Sequence, residues 1–314
     1  MGRNIWKDGI MGLVVGDALG LPVQFNSRIK LKENPVTKME GYGTFNMPEG
    51  SWSDDSSLAI ATLESIRRCY AIDEKDIMGN FVSWLFMGEF TPFGRAYDIG
   101  MTCDYAISKY QLERDVDTCG KTGERANGNG GLMRIMPVCL FAYEMERDGK
   151  YSRDEALYVV HRVTALTHNH KRAHMASGIY YFMVKEILDG AGTLLERMQR
   201  GMDCAVNYYS NDDENLEELE HYKRLFDLKE FADANEDSIK SSGYVVDSLE
   251  ASVWCLINTA SYKDALLKAV NLGNDTDTVG AIAGGLAGLY YGYDGIPSEW
   301  LEVIQKREWI EKFC

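Results

Sequence analysis

Two short stretches, far apart in the chain, hold the residues best suited to chemistry. The first is "GSWSDDSSLAI", Gly50 to Ile60, in which Ser53 is followed by Asp54 and Asp55. The second is "NLGNDTDTVGAIAGGLAGLYYG", in which Asp275, Asp277 and Thr278 crowd together. Carboxylates and hydroxyls are hard oxygen donors that suit Mg²⁺ or Mn²⁺, and acids gathered without a cation repel one another. Each stretch alone has a plainer reading, because acids complement the dipole at a helix N-terminus and Ser53 is a good N-cap. The pattern occurs twice, each time leading into an apolar helix, and this tilts the reading towards a two-sided metal site.

The surrounding residues indicate what must position these groups. "DSSLAIATLESIRRCY" repeats apolar residues at Leu58, Ala61, Leu63, Ile66 and Cys69, which is a helical period. "KRAHMASGIYYFMVKEIL" and "VVDSLEASVWCLINTA" keep apolar faces for several turns, and strand-like alternation hardly occurs. The helix after Thr278 is so rich in glycine and alanine that it must pack closely on its neighbours. Glycines gather at helix ends and loops: "GYGTFNMPEG", "CGKTGERANGNGGL", "LGNDTDTVG". "EMERDGKYSRDEA" and "SNDDENLEELEHYKRLFDLKEFADANEDS" read as solvated connections or exposed helices. The expectation is an all-α fold in a single domain over residues 1–314, without internal repeats.

Composition narrows the function. Forty-eight acidic against 33 basic residues give a net charge of -15, a field that repels a nucleic acid duplex. A small anionic ligand is compatible with it, since a bound cation reverses the sign locally. The seven cysteines are scattered, without a C-x-x-C pair, and read as reduced thiols. The apolar run near the start is bracketed by Asp8 and Asp17, too short to span a membrane, and follows no basic region. A soluble, cytoplasmic protein without membrane partners is expected. "GKT" at Gly120 to Thr122 lacks the earlier glycine of a phosphate-binding P-loop, where Asp115 stands instead. His170 and His174 are four apart but lack the H-E-x-x-H pattern, and read as surface or core histidines.

Seven segments in order resemble the ADP-ribosylglycohydrolase family: "GLVVGDALGLPVQF", "SWSDDSSLAI", "YDIGMT", "NGNGGLMRIMPV", "LTHNHKRAHMA", "GYVVDSLEASVWCL" and "LGNDTDTVGAIAGGLAGLYYG". The resemblance runs over almost the whole chain. It implies a compact orthogonal helix bundle with two divalent cations, Mg²⁺ or Mn²⁺, in a cleft. Carried over by position, it implies Ser53, Asp54 and Asp55 as metal ligands from one side and Asp275, Asp277 and Thr278 from the other. It also implies Asp98 in "YDIG" as a general base or substrate-orienting acid, with Asp55 and Asp277 sharing in catalysis. The substrate-binding set is Asn127, Gly128, Asn129, Gly130, Gly131, Met133 and His168. Within it the glycines allow close backbone approach, and their N–H groups can form an anion-binding nest for a diphosphate.

The implied reaction breaks the glycosidic bond between ADP-ribose and a modified side chain on a protein or small conjugate, releasing ADP-ribose. Gln24 stands where many members carry an acid, and a neutral amide can neither take a proton nor act as a charged ligand. This favours an arginine linkage over a serine one. It also leaves open a catalytically weak relative that binds ADP-ribose or a nucleotide, or serves as a structural protein on the same fold. Trp52, Tyr97, Tyr290 and Tyr291 are candidates to stack on adenine, with core packing as the alternative.

Overall fold

In the computed structural model, which describes residues 3–211 and 213–314, the chain is built from α-helices and short 3₁₀ turns. Among the described residues the only strand-like pairings are two isolated bridges, Lys121 with His168 and Gly128 with Tyr244. The all-α expectation therefore holds.

The centre of the bundle is an antiparallel pair, the N-terminal helix Ile5–Gly20 and the late helix Thr276–Tyr291. Their glycines make the pairing possible. A Cβ on Gly16 would lie 2.0 Å from the Gly280 carbonyl oxygen, and one on Gly12 would lie 2.3 Å from that of Gly284. Backbones in such contact leave no room for side chains, so alanine at either position would force the helices apart. The pairing also fixes the axial register, because Thr276 Oγ1 donates to the Gly20 carbonyl at 2.8 Å.

The helix Asp54–Cys69 enters this centre with its N-terminus. Ser53 is its N-cap and accepts from Asp55 N at 3.3 Å. Asp17, fully buried on the N-terminal helix, accepts from Ser53 N at 3.0 and 2.9 Å, from Ser56 N at 3.0 Å and from Ser56 Oγ at 2.6 Å. The helix Lys171–Asp189 and the helix Val245–Ile257 complete the wall around the Gly-rich loop. That loop is held by Asn129 N donating to the Gly243 carbonyl and Val245 N donating to the Asn127 carbonyl.

The acidic segment after Tyr209, expected as a solvated connection or exposed helices, forms short helices that are not exposed throughout. Tyr222, Leu225, Leu228 and Phe231 are buried, and the Tyr222 hydroxyl donates to the Arg172 carbonyl at 2.7 Å. Its charges conceal an apolar face spaced for short helices, Glu220–Leu225 and Leu228–Ala232, that cover the bundle. No described helix is long and apolar enough to cross a membrane.

Candidate active site

A cleft of about 600 Å³ opens where the two acid-bearing helix starts meet, and its walls include Gln24, Asp54, Asp98, Gly128, His168 and Asp275. Its volume suits a nucleotide-sized ligand. Met133, Asn129, Gly130 and Thr278 also face it, whereas Ser53, Asp55, Asp277, Asn127 and Gly131 lie behind the wall or in the loops that support it. No lysine or arginine lines the cleft among the described residues.

Both acid pairs head helices, and they differ in capping: other groups cap the Asp54 helix, whereas at the second helix Asp275 is an N-cap without a side-chain hydrogen bond and Asp277 Oδ1 accepts from Thr278 N at 2.9 Å. Ser53 and Asp17 take the free N–H groups at the start of the Asp54 helix. Asp54 and Asp55 are thereby released to face the acids of the other helix. That helix begins one turn earlier than the sequence suggested, at Thr276, so Asp277 and Thr278 lie in its first turn and only Asp275 precedes it. Asp275 Oδ2 accepts from Asn129 Nδ2 at 2.7 Å, and the same amide also donates to Ser248 Oγ at 2.8 Å. Thr278 Oγ1 lies 3.4 Å from Asp55 Oδ2, which joins the two clusters directly.

The electrostatics of the cluster are those of acids without counter-charge. Burial is the largest cause that raises the carboxyls of Asp54, Asp55 and Asp277 well above the usual range, and repulsion among Asp17, Asp54, Asp55, Asp98, Asp275 and Asp277 adds to it. Asp98 is half-buried and is also raised, chiefly by burial, while hydrogen bonds from Asp277 and Gln24 oppose the shift. Its backbone is left-handed at φ 55°, a conformation that non-glycine residues seldom adopt. Asp55 Oδ1, Asp98 Oδ2, Asp277 Oδ2 and Gln24 Oε1 are buried acceptors with no hydrogen-bond donor. Such groups are costly unless a cation or another donor meets them, and a donor set of carboxylate oxygens fits a hard divalent metal.

Sequence reasoning passed over Asp17 as a bracket to an apolar run, although an acid inside "GLVVGDALG" is the signal that it has a buried partner. Arg134, Thr167 and Cys103 were also passed over and lie around His168. The aromatic residues proposed for adenine are elsewhere. Trp52 is fully buried with Nε1 donating to the Gln305 carbonyl, the Tyr97 hydroxyl donates to the Trp52 carbonyl, and Tyr290 packs edge-on against Tyr291. The aromatic ring that lines the cleft is Phe25, linked through Phe45 to Tyr97 by ring contacts of 6.3 and 6.0 Å. His174 is a core histidine stacked on His161, and His170 caps the Lys171 helix by accepting from Arg172 N at 3.2 Å.

Comparison with known proteins bears on what this cleft does. A sequence model of the family described as ADP-ribosylglycohydrolase matches residues 5–314. The chain is 30% identical to the ADP-ribosylarginine hydrolase Tri1 of Serratia proteamaculans, covering 98% of this chain and 77% of that protein. It is also 30% identical to the ADP-ribosyl-[dinitrogen reductase] glycohydrolase of Rhodospirillum rubrum, covering 95% of this chain and 89% of that one. A solved structure described as an ADP-ribosylglycohydrolase-related protein complex superposes with a TM-score of 0.77 at 30% identity, over 98% of this chain and 95% of that one.

Proposed function

The chain belongs to the ADP-ribosylglycohydrolase family and is an ADP-ribosyl glycohydrolase; from that premise we propose that it hydrolyses the N-glycosidic bond between ADP-ribose and an arginine side chain of a modified protein or small conjugate, with two divalent cations, Mg²⁺ or Mn²⁺, held by the acid cluster. The observation that carries this reading is the set of buried, donorless carboxylate oxygens on Asp55, Asp98 and Asp277. Asp54 and Asp55 with Ser53 would hold cations from one helix start, and Asp275, Asp277 and Thr278 from the other. Divalent cations there would neutralise the acids and supply positive charge for the ribose hydroxyls.

The remaining work falls to the chain's own residues. In the reaction the bond from C1″ to the guanidine nitrogen breaks and one from C1″ to a water oxygen forms. Asp98, at the cleft wall with a free carboxylate oxygen, accepts one proton of that water and passes it to the leaving guanidine nitrogen, so arginine departs as its guanidinium and Asp98 is returned to its ionised form. An acid therefore serves this role although position 24 is an amide. Gln24 instead stands beside Asp98 and favours its ionised form. Asn129 orients Asp275, and the Gly128–Gly130 backbone with Met133 and His168 forms the wall for the diphosphate. The arginine preference rests on the amide at position 24 and on the arginine-directed relative.

The test is release of free ADP-ribose from an ADP-ribosyl-arginine peptide with added Mg²⁺ or Mn²⁺, beside EDTA and beside an ADP-ribosyl-serine peptide. Metal-dependent release from arginine is expected. Release from serine alone refutes the linkage, and undiminished release in EDTA refutes the metal.

A further inference from the structure

Arg134 has no place in the chemistry above. It is completely buried, no carboxylate pairs with it among the described residues, and its Nε and Nη1 meet no acceptor. Its Nη2 donates to the Val163 carbonyl at 3.1 Å and to Thr167 Oγ1 at 2.8 Å, and the guanidinium lies 4.8 Å from the centre of the Phe81 ring. An unpaired buried cation is expensive, and the side chain to which it donates a hydrogen bond leads to the cleft: Thr167 Oγ1 is 2.8 Å from His168 Nδ1. On the far side of that imidazole, Nε2 lies beside the Gly128–Gly130 backbone. A Cβ on Gly128 would be 3.2 Å from Nε2, and one on Gly130 only 2.8 Å from Cε1.

We propose that Arg134 and Thr167 together hold His168 as a neutral imidazole with its proton on Nε2, so that the cleft presents a fixed donor to an oxygen of the bound ligand. The argument is one of donors and charge. The Thr167 oxygen receives a hydrogen bond from a cation, which makes its own O–H a better donor and its oxygen a poorer acceptor. His168 Nδ1, 2.8 Å from the hydroxyl, is a stronger acceptor than the Cys103 thiol that also neighbours it. The positive potential of Arg134 likewise favours a lone pair over an N–H on the ring atom that faces it. The groups that act on the ring are Arg134, Lys121 and His174, with the Cys103 thiol nearby, while Asp54, Asp98 and Asp275 stand in the wall of the same cleft. Burial, ahead of these cations, pushes the imidazole down to about 3, so it stays neutral throughout the working range. A neutral donor of fixed direction matters here, since no lysine or arginine lines the cleft and an imidazolium would titrate. Arg134 and Thr167 are positioning residues, acting through His168.

The identity of the ligand rests on the ADP-ribose reading, but the tautomer does not. The experiment is ¹⁵N NMR of the full chain labelled with ¹⁵N-histidine, with His168→Gln identifying the resonances. Expected for the wild type is an unprotonated Nδ1 and a protonated Nε2, unchanged between about pH 8 and 5. Thr167→Val should populate both tautomers and weaken ADP-ribose binding about tenfold, as for the loss of one oriented hydrogen bond, and Thr167→Ser should restore both. A wild-type ring protonated on Nδ1, or one that charges in this range, overturns the proposal. So does a folded Thr167→Val protein with the wild-type tautomer and affinity. If ADP-ribose moves no histidine resonance while the wild-type tautomer is as expected, the positioning holds and the ADP-ribose reading fails instead.

Discussion

Two groups of acids in this molecule look alike by composition and differ in what surrounds them. Glu124, Glu218 and His170 bring ligand atoms within 4.8 Å of one another, a spacing that a metal ion could use. Arg172 already occupies that place, with Nη1 3.1 Å from Glu124 and Nε 2.7 Å from Glu218. At and behind the cleft wall, by contrast, Asp54, Asp55, Asp98 and Asp277 meet no cation: their partners are one another, hydroxyls, the Gln24 amide and the Thr278 backbone N–H. Glu124 and the acids at the cleft shift in opposite directions: a hydrogen bond from Arg172 holds Glu124 below its usual range, whereas burial drives Asp54 and Asp277 above theirs. Proximity of oxygen atoms is thus a poor guide to a cation site. Buried oxygens that no donor satisfies are the ground on which the proposed cation site rests.

The largest effect that can break this comparison lies in the cleft. Asp277→Asn or Asp54→Asn should lower ADP-ribosyl-arginine turnover by about a thousandfold, the several kcal/mol a metal site supplies, while the circular dichroism of the helices persists. Calorimetry with Mn²⁺ should show lost ion binding, and full stoichiometry in both variants would remove the metal from this site. The companion variant His170→Ala should leave Mn²⁺ stoichiometry intact. A lost ion there would move one metal to the Glu124 group.

Next in size is Arg172→Met, which strands the partly buried Glu218 and should cost about 2 kcal/mol of stability, measured by urea unfolding. An unchanged midpoint would show that Arg172 does not neutralise its group.

The pH dependence sharpens the contrast further. Burial raises Asp17 from 3.8 to about 6 in the fold, against hydrogen bonds from Ser56 and Ser53. A group raised on folding stabilises the native state fully below its unfolded value and loses that contribution as pH rises through the folded one. Metal-free protein should therefore lose thermal stability from about pH 4 to about pH 6, and saturating Mn²⁺ should flatten the slope by favouring ionised acids. A slope of the same size with and without Mn²⁺ would contradict the coupling.

Glu124 has the opposite sign, since a lowered carboxyl stabilises above its unfolded value of 4.5 and loses the effect as pH falls below it. It is mostly exposed, so Glu124→Gln should give the smallest change, detectable at neutral pH in low salt and absent at high salt. Persistence of the change at high salt would mean a buried interaction that the structure does not contain.

The sequence carried the helices, and it carried the pairing of acids with helix starts, because period and capping are local properties. "SWSDDSSLAI" could be read as a cap and as half a site, and the cap is there: Ser53 accepts from Asp55 N, and the two aspartate carboxylates take no part in it. What a linear reading could not supply was which acid binds which N–H. Asp17 and Ser53 are 36 positions apart, and only the glycine contact between the helices Ile5–Gly20 and Thr276–Tyr291 brings Asp17 to the start of the Asp54 helix. The relay from Arg134 through Thr167 to His168 was hidden for the same reason, as was the satisfaction of Glu124 and Glu218 by Arg172. The chain by itself determined an all-α protein with clustered acids at two helix starts, since hydrophobic period and residue type act over a few positions. The tertiary structure alone decided which charges remain unpaired, because burial and neutralisation depend on groups that meet only when distant helices pack.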